Sequence, residues 1–362
     1  MATNPERAVH GDGDILVDVV IVGAGPCGLA CAIAAQRAGL SAVVIDRGAI
    51  VSGIASYPTY MNFFSTAERL SIGGIPFIVA TEKPTRRDAL AYYRGVATHF
   101  DLDVRQYETV LDLVPTESEG TTASRPSRWT VHTERRSGVA MQYHAHAVVV
   151  ATGYFGRPNT LGVPGETLPH VRHGYTEGHY AWHESVVIIG GGNSAVDAAL
   201  DMYRAGGRVT MVHFLAELDA KIKPWVRPEI LARIADGSIG VHYSSRVVAI
   251  EPERVVLTGP DGEQRIAATQ VYAMTGYLPE TGLLERAMVP IDPVTGIPAH
   301  DPATMATTVP GLYLAGVIAS GFDANKIFIE NGRDHGDRIA ASILAEARAT
   351  ASTPRPFTSS HH

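Results

Sequence analysis

The chain opens its ordered pattern with an apolar run at residues 17–22 (VDVVIV), which passes straight into Gly23-Ala24-Gly25-Pro26-Cys27-Gly28. Helical spacing of apolar residues follows over 29–38, then Gly39, then a second apolar run that stops at Asp46. Far downstream the order repeats. Residues 185–189 (SVVII) lead into Gly190-Gly191-Gly192-Asn193-Ser194-Ala195, a helical pattern follows over 196–204, and after Gly206-Gly207 a strand ends near His213. The strand-end residue stands equally far past the first glycine in both units. Short apolar runs alternating with helical spacing predict two βαβ units, hence an α/β fold of two Rossmann-like, three-layer domains. Further strands are expected at 102–104, 129–132, 142–150 (ending in Ala151-Thr152-Gly153), 271–274 and 312–315. A long helix is expected at 325–347. Residues 116–127 read as a surface turn, 156–183 as a connector, 275–279 as a return hinge, and the tail from Thr350 as disordered.

The first glycine motif has the context that gives it chemical meaning: a strand before it, a helix after it and an acidic residue at the following strand end. Gly23 permits the tight turn, Gly25 lets the backbone approach a pyrophosphate, and Gly28 lets helix and strand pack closely. The helix N-terminus then faces the phosphates, and Asp46 can accept hydrogen bonds from ribose hydroxyls. The second motif lacks an acid at its strand end, where His213-Phe214 stands. An acid there favours the free 2′-hydroxyl of NAD, so its absence favours NADPH, with Lys221, Lys223 and Arg227 as nearby basic groups. Two dinucleotide units imply two dinucleotides, most economically a bound flavin and an exchanging nicotinamide that passes hydride to it.

Composition narrows the remaining classes. The 362 residues are 45% hydrophobic and 19% charged, with a net charge of -7 and no basic run, which argues against a nucleic-acid partner. Residues 1–15 lack the apolar segment of a signal peptide, and no 18-residue apolar stretch occurs, so a cytoplasmic protein without membrane association is expected. Cys27 and Cys31 are the two cysteines, too few for an iron–sulfur or structural zinc site. His170, His173, His179 and His183 cluster in the connector without a supporting ligand pattern, so no metal is expected. No G-x-S-x-G or H-E-x-x-H gives a hydrolase reading footing.

The glycine motifs, Ala151-Thr152-Gly153 and Pro310-Gly311-Leu312-Tyr313-Leu314-Ala315-Gly316 resemble the pyridine nucleotide–disulfide oxidoreductases, in their small thioredoxin-reductase-like branch. The resemblance implies a discontinuous FAD domain (1–156 and 279–362) with an NADPH domain (157–278) inserted. Two departures stand out. Residues 154–280 hold no cysteine, so the redox C-x-x-C is missing, and Gly316-Val317 replaces the usual Gly-Asp. Together with Tyr57-Pro58-Thr59, Phe63-Phe64-Ser65, Ile222-Lys223-Pro224-Trp225 and Asp323-Ala324-Asn325, they resemble the YpdA-type flavoproteins. That resemblance implies an NADPH-dependent reductase of a low-molecular-weight thiol disulfide, bacillithiol disulfide foremost, acting as a homodimer or larger homo-oligomer. The family usually carries Arg where this chain has Phe214.

The expected flavin-contacting set is Gly23, Gly25, Pro26, Gly28, Asp46, Arg47, Tyr57, Phe63, Phe64, Val110, Ala151, Thr152, Gly153, Gly316, Val317, Asn325, Lys326 and Ile327. The expected NADPH-contacting set is Gly190, Gly192, Asn193, Ser194, Ala195, His213, Lys221 and Lys223. Cys27 is the candidate catalytic residue. Near a helix N-terminus it reads either as a thiolate nucleophile or as a small residue packed beside the cofactor. Cys31, one turn on, reads as core. Asn325-Lys326 is expected to open the last helix, whose amides would stabilise charge on a reduced flavin; an ordinary cap by Asp323 is the alternative. Tyr57, Phe63 and Phe64 read either as flanking the flavin or as core. Two other functions remain open on sequence: a ferredoxin/flavodoxin–NADP reductase and a non-enzymatic nucleotide-binding redox sensor.

Overall fold

The computed structural model describes residues 9–10, 14–116 and 127–352. The expected surface turn at 116–127 lies almost wholly outside them, as does most of the tail from Thr350 and of the first fifteen residues. The chain divides into two compact units, one of residues 1–55, 62–156 and 278–362, the other of 56–61 and 157–277.

The first unit begins with β1 (Asp14–Val22), α1 (Pro26–Arg37) and β2 (Ala42–Asp46). It continues through α2 (Arg86–His99), β3 (Val104–Gln106), β4 (Glu108–Pro115), β5 (Trp129–Arg135) and β6 (Ala140–Val150). The sheet order is β3-β2-β1-β6-β5-β4, with β1 parallel to β2 and β6 and the last three strands an antiparallel meander. Val19 to Val22 of β1 and Ala147 to Val150 of β6 are buried without a break, as strands covered on both faces require. The strand expected at 102–104 lies at Val104–Gln106 instead. Asp101 takes a left-handed conformation and Leu102 N–H bonds back to the Ala97 carbonyl (3.0 Å), so those residues finish α2 before a strand can start.

The second unit contains β7 (Val171–Arg172), β8 (Ser185–Ile189), α3 (Asn193–Arg204), β9 (Arg208–Val212), α4 (Arg227–Ala235) and β10 (Gly240–His242). Then come β11 (Arg246–Glu251), β12 (Arg254–Gly259), β13 (Gly262–Ala267) and β14 (Gln270–Ala273). Five strands form a parallel sheet ordered β10-β9-β8-β14-β7. Alternate residues of β8 face opposite sides, as the strand period demands. Val186 and Ile188 pack with α3, while Val187 and Ile189 join Val247, Val255 and Leu257 of the antiparallel β11-β12-β13 sheet. That antiparallel sheet is not among the elements expected from sequence, and the connector at 156–183 supplies the edge strand β7. Residues 56–61 also belong to this unit, with Thr59 N–H bonded to the Thr176 carbonyl (2.7 Å). Tyr57 is therefore corrected from the first domain to the second unit.

The chain returns to the first unit with β15 (Leu312–Leu314), parallel to Val148–Val150 of β6. The single helix expected at 325–347 is two helices, α5 (Ile329–Gly332) and α6 (His335–Ser352). Asn325 and Lys326 precede them in a turn, which corrects their placement at a helix start. Polar side chains compete for the backbone there. Asp323 Oδ1 accepts from Asn325 N–H (3.2 Å), Asn331 Oδ1 accepts from Phe328 N–H (2.7 Å), and Asn331 Nδ2 donates to the Lys326 carbonyl (2.9 Å).

The meander of the first unit is tied by one buried carboxylate. Glu108 Oε1 accepts from Thr133 Oγ1 (2.5 Å) and Tyr143 Oη (2.7 Å), and Oε2 accepts from Arg135 Nε (3.4 Å). Removing it strands two buried hydroxyls. Glu108→Ala is expected to lower stability by about 2–4 kcal/mol, and Tyr143→Phe by about 1 kcal/mol. Denaturant midpoints of the two variants check the order.

Candidate dinucleotide sites

In the first unit the glycine turn is built by close approach. A Cβ on Gly28 would collide with the Gly23 carbonyl, and one on Gly23, at φ +111, with the Ala151 carbonyl. Gly25 is different: a Cβ there would meet nothing within 4 Å. The turn is thus packed hard on the protein side and open at Gly25, the form a pyrophosphate cradle needs. Asp46 Oδ2 accepts from Ala24 N–H (2.8 Å), while Oδ1 accepts from Gly48 N–H (2.7 Å). Thr152 Oγ1 is buried without a hydrogen-bond partner, which is unusual for a hydroxyl and fits a site completed by a ligand.

These observations gather Gly23, Gly25, Pro26, Gly28, Asp46, Ala151, Thr152 and Gly153 at the ends of β1, β2 and β6. Gly316 joins them through its approach to Cys27, and Ile327 lies 3.2 Å from where a Cβ on Gly332 would stand. The strand carrying Val110 approaches the end of β2, where Tyr107 N–H bonds to the Gly48 carbonyl (3.0 Å). Arg47 is exposed and pairs with Glu280 (2.9 Å). Phe63 is buried and Phe64 half exposed, so the two neighbours are not equivalent. Val317 lies in a short turn of helix at Gly316–Ser320.

Cys27 sits in the first turn of α1, wedged between two later glycines. A Cβ on Gly316 would stand 3.1 Å from its Sγ, and one on Gly332 2.9 Å away. Burial pushes the Cys27 thiol up to about 12, and the Asp334 carboxylate adds to the effect. Of the two readings of Cys27, loss of hydration working against the helix field favours a protonated sulfur over a resting thiolate. Cys31 is core, its thiol also raised by burial first and by Cys27 and Asp337 after it. Beside this pair, buried His335 accepts the Gly316 N–H at Nδ1 (3.1 Å). Its pKa is pushed down to about 4, by burial first, then by Arg338 and His300, against an opposing Asp334. His335 is absent from the residues expected on sequence, because a lone histidine without a motif offers no signal.

In the second unit Gly190, at φ +140, again could not carry a Cβ without striking the Met274 carbonyl. The helix α3 begins with Asn193, Ser194 and Ala195. Asn193 is tied to the facing loop, donating to the Lys221 carbonyl (3.1 Å) and accepting from Lys223 N–H (2.9 Å). A Cβ on Gly192 would lie 3.2 Å from Asp219 Oδ2. His213 is buried against Gly191, with both ring nitrogens unpartnered, and burial lowers its pKa. Lys223 is not a free cation: its Nζ pairs with Asp197 (2.5 Å). Lys221 is exposed. Among the described residues no group of three or more His, Cys, Asp or Glu is disposed to hold a metal, and no helix is long and apolar enough to cross a membrane.

The burial of the two thiols has a direct chemical readout. At pH 8 iodoacetamide is expected to leave buried Cys31 of the folded chain unlabelled and to label half-buried Cys27, whose thiol is raised, much more slowly than after unfolding, when both react, read by mass spectrometry. For His335, the unfolded side chain takes up its proton near pH 6.5 and the folded one only near pH 4. Below about pH 6.5 the unfolded state thus binds more protons, and stability falls as pH drops towards 4. His335→Gln is expected to flatten that part of the curve of unfolding free energy against pH.

The sequence model of the pyridine nucleotide-disulphide oxidoreductase family matches residues 20–316. The bacilliredoxin reductase Bdr of Bacillus subtilis (strain 168) is 41% identical over 327 residues, which cover 90% of this chain and 96% of that one. The solved bacillithiol disulfide reductase Bdr (YpdA) of Bacillus cereus superposes with a TM-score of 0.86 at 41% identity, covering 91% of this chain and 99% of the other. Its Staphylococcus aureus counterpart gives a TM-score of 0.84 at 38% identity, with coverage of 91% and 99%. The packed glycine turns and the match across nearly the whole chain lead to one conclusion: the chain belongs to the pyridine nucleotide-disulphide oxidoreductase family and, within it, to the YpdA-type branch.

Proposed function

We propose that this chain is an NADPH-dependent FAD flavoprotein that reduces a low-molecular-weight thiol disulfide, bacillithiol disulfide foremost. The observation that carries the reading is the pair of glycine turns, one open at Gly25 beside the unpartnered Thr152 hydroxyl, the other beside the unpartnered ring of His213. The YpdA-type relatives named above support the substrate. In this reading the first unit holds FAD and the second holds NADPH. Gly23, Gly25, Gly28, Asp46 and Thr152 hold the flavin nucleotide, and Gly190, Gly192, Ser194 and His213 the pyridine nucleotide. The flavin, when bound, relays an electron pair from the nicotinamide.

Cys27 is the group of this chain that faces the disulfide in the reaction. Its Sγ, with the thiol pKa raised, keeps its proton until a substrate sulfur lies alongside. A bond then forms between Sγ and one substrate sulfur, the substrate S–S bond breaks, and the departing sulfur leaves with the proton as the first thiol. The electron pair and two protons, which NADPH and one solvent proton supply overall, cleave the mixed disulfide, release the second thiol and restore the Cys27 thiol. The net change is one disulfide and NADPH with a proton to two thiols and NADP⁺.

The test is an anaerobic titration of the flavin-loaded protein. NADPH is expected to bleach the flavin absorbance, and bacillithiol disulfide to restore it. Bleaching without recovery would move the acceptor from a small disulfide to an electron-carrier protein. Cys27→Ala is expected to bleach normally and to recover at least about 100-fold more slowly, on the scale of a lost nucleophile. Undiminished recovery would remove Cys27 from the chemistry.

A further inference from the structure

The strand-end position after β9 is where a dinucleotide fold distinguishes a ribose 2′-hydroxyl from a 2′-phosphate. Here buried His213 stands at that position, and the next residue, Phe214, is an exposed aromatic ring with no charge of its own. The structure places a charge there from another part of the chain. Ser244 N–H bonds to the Leu215 carbonyl (2.8 Å) and Ser245 N–H to the His213 carbonyl (3.0 Å), so the segment entering β11 is stitched to the end of β9. The next residue, Arg246, carries its guanidinium over the Phe214 ring, 4.9 Å from the centroid.

The other cations nearby are engaged or placed in ways that single Arg246 out. Lys223 is paired with Asp197, and Arg227 Nη1 donates to the Asp219 carbonyl (2.9 Å). Lys221 is exposed on the loop that closes on Asn193. His213 is buried with its pKa lowered, so it brings no positive charge. Arg246 is exposed and makes no ion pair among the described residues. A guanidinium resting on an aromatic ring keeps its edge donors free for a phosphate, which it matches in a two-point fashion.

We infer that Arg246 is the specificity residue for a pyridine nucleotide bearing a phosphate monoester on its adenosine ribose, and that Phe214 is its positioning residue. The inference rests on the assignment of the second unit to that nucleotide. It replaces Lys223 as the basic partner, and it explains how a chain with Phe at the strand end retains a cation at the same place.

Calorimetry on the flavin-loaded protein tests this without any disulfide or turnover, with 2′,5′-ADP and 5′-ADP as probes. The unsubstituted protein is expected to bind 2′,5′-ADP more tightly. Arg246→Gln is expected to weaken 2′,5′-ADP by about 10- to 100-fold, the range for a charge-assisted hydrogen-bonded pair, and to leave 5′-ADP unchanged. Phe214→Ala is expected to weaken 2′,5′-ADP several-fold with 5′-ADP unchanged, and Phe214→Tyr to restore it. Unchanged 2′,5′-ADP affinity in Arg246→Gln, or equal loss of both probes, overturns the inference. Failure of the unsubstituted protein to bind either probe overturns the nucleotide assignment itself, and the inference with it.

Discussion

The first unit depends on how closely α1 can approach the strands that flank it. The Gly23 carbonyl occupies the space a side chain at residue 28 would need, and the Ala151 carbonyl the space of one at residue 23. With both side chains absent, the helix start, the end of β1 and the end of β6 meet at one place. Cys27 is carried into that junction by the same helix turn. The later crossing of α6 over α1 is also close, since a Cβ on Gly336 would lie 2.9 Å from the Ala30 carbonyl and from Cys31 Cα. Close approach on both sides of α1 buries Cys31 and half-buries Cys27, which raises both thiols above their usual range.

The glycine turns were legible in the sequence because they impose local constraints that few other residues satisfy. The strand ends at Asp46 and His213 were legible for the same reason, each lying at a fixed distance past its turn. What escaped the sequence was decided by contacts between distant residues. The raised pKa of Cys27 follows from desolvation and Asp334, with Gly316 and Gly332 of the return segment packed on its sulfur. The late start of α5 follows from Asp323 and Asn331 bonding to the backbone of 325–328 that a helical pattern would claim. The antiparallel sheet of β11, β12 and β13 has partly buried, mixed faces and little of the unbroken apolar character that marked the parallel strands.

The two units show different solutions at the strand end. Asp46 accepts from Ala24 N–H of the glycine turn and from Gly48 N–H of its own turn, so it holds the cradle as well as lining it. His213 holds nothing through its ring and is buried without partners. The burial of two nitrogens without hydrogen bonds costs free energy that a bound ligand can recover. One strand end is thus hydrogen-bonded within the chain, and the ring at the other is not.

The pairing of β15 with β6 has a consequence for how the chain is made. Val148 to Val150 are synthesised early, yet their partners Leu312 to Leu314 leave the ribosome about 160 residues later, a long separation by the standards of small domains. The second unit, nearly contiguous between them, can complete its own core while the first still exposes an unpaired strand edge. During that interval the edge of β6 is a site for chaperone capture or misassembly.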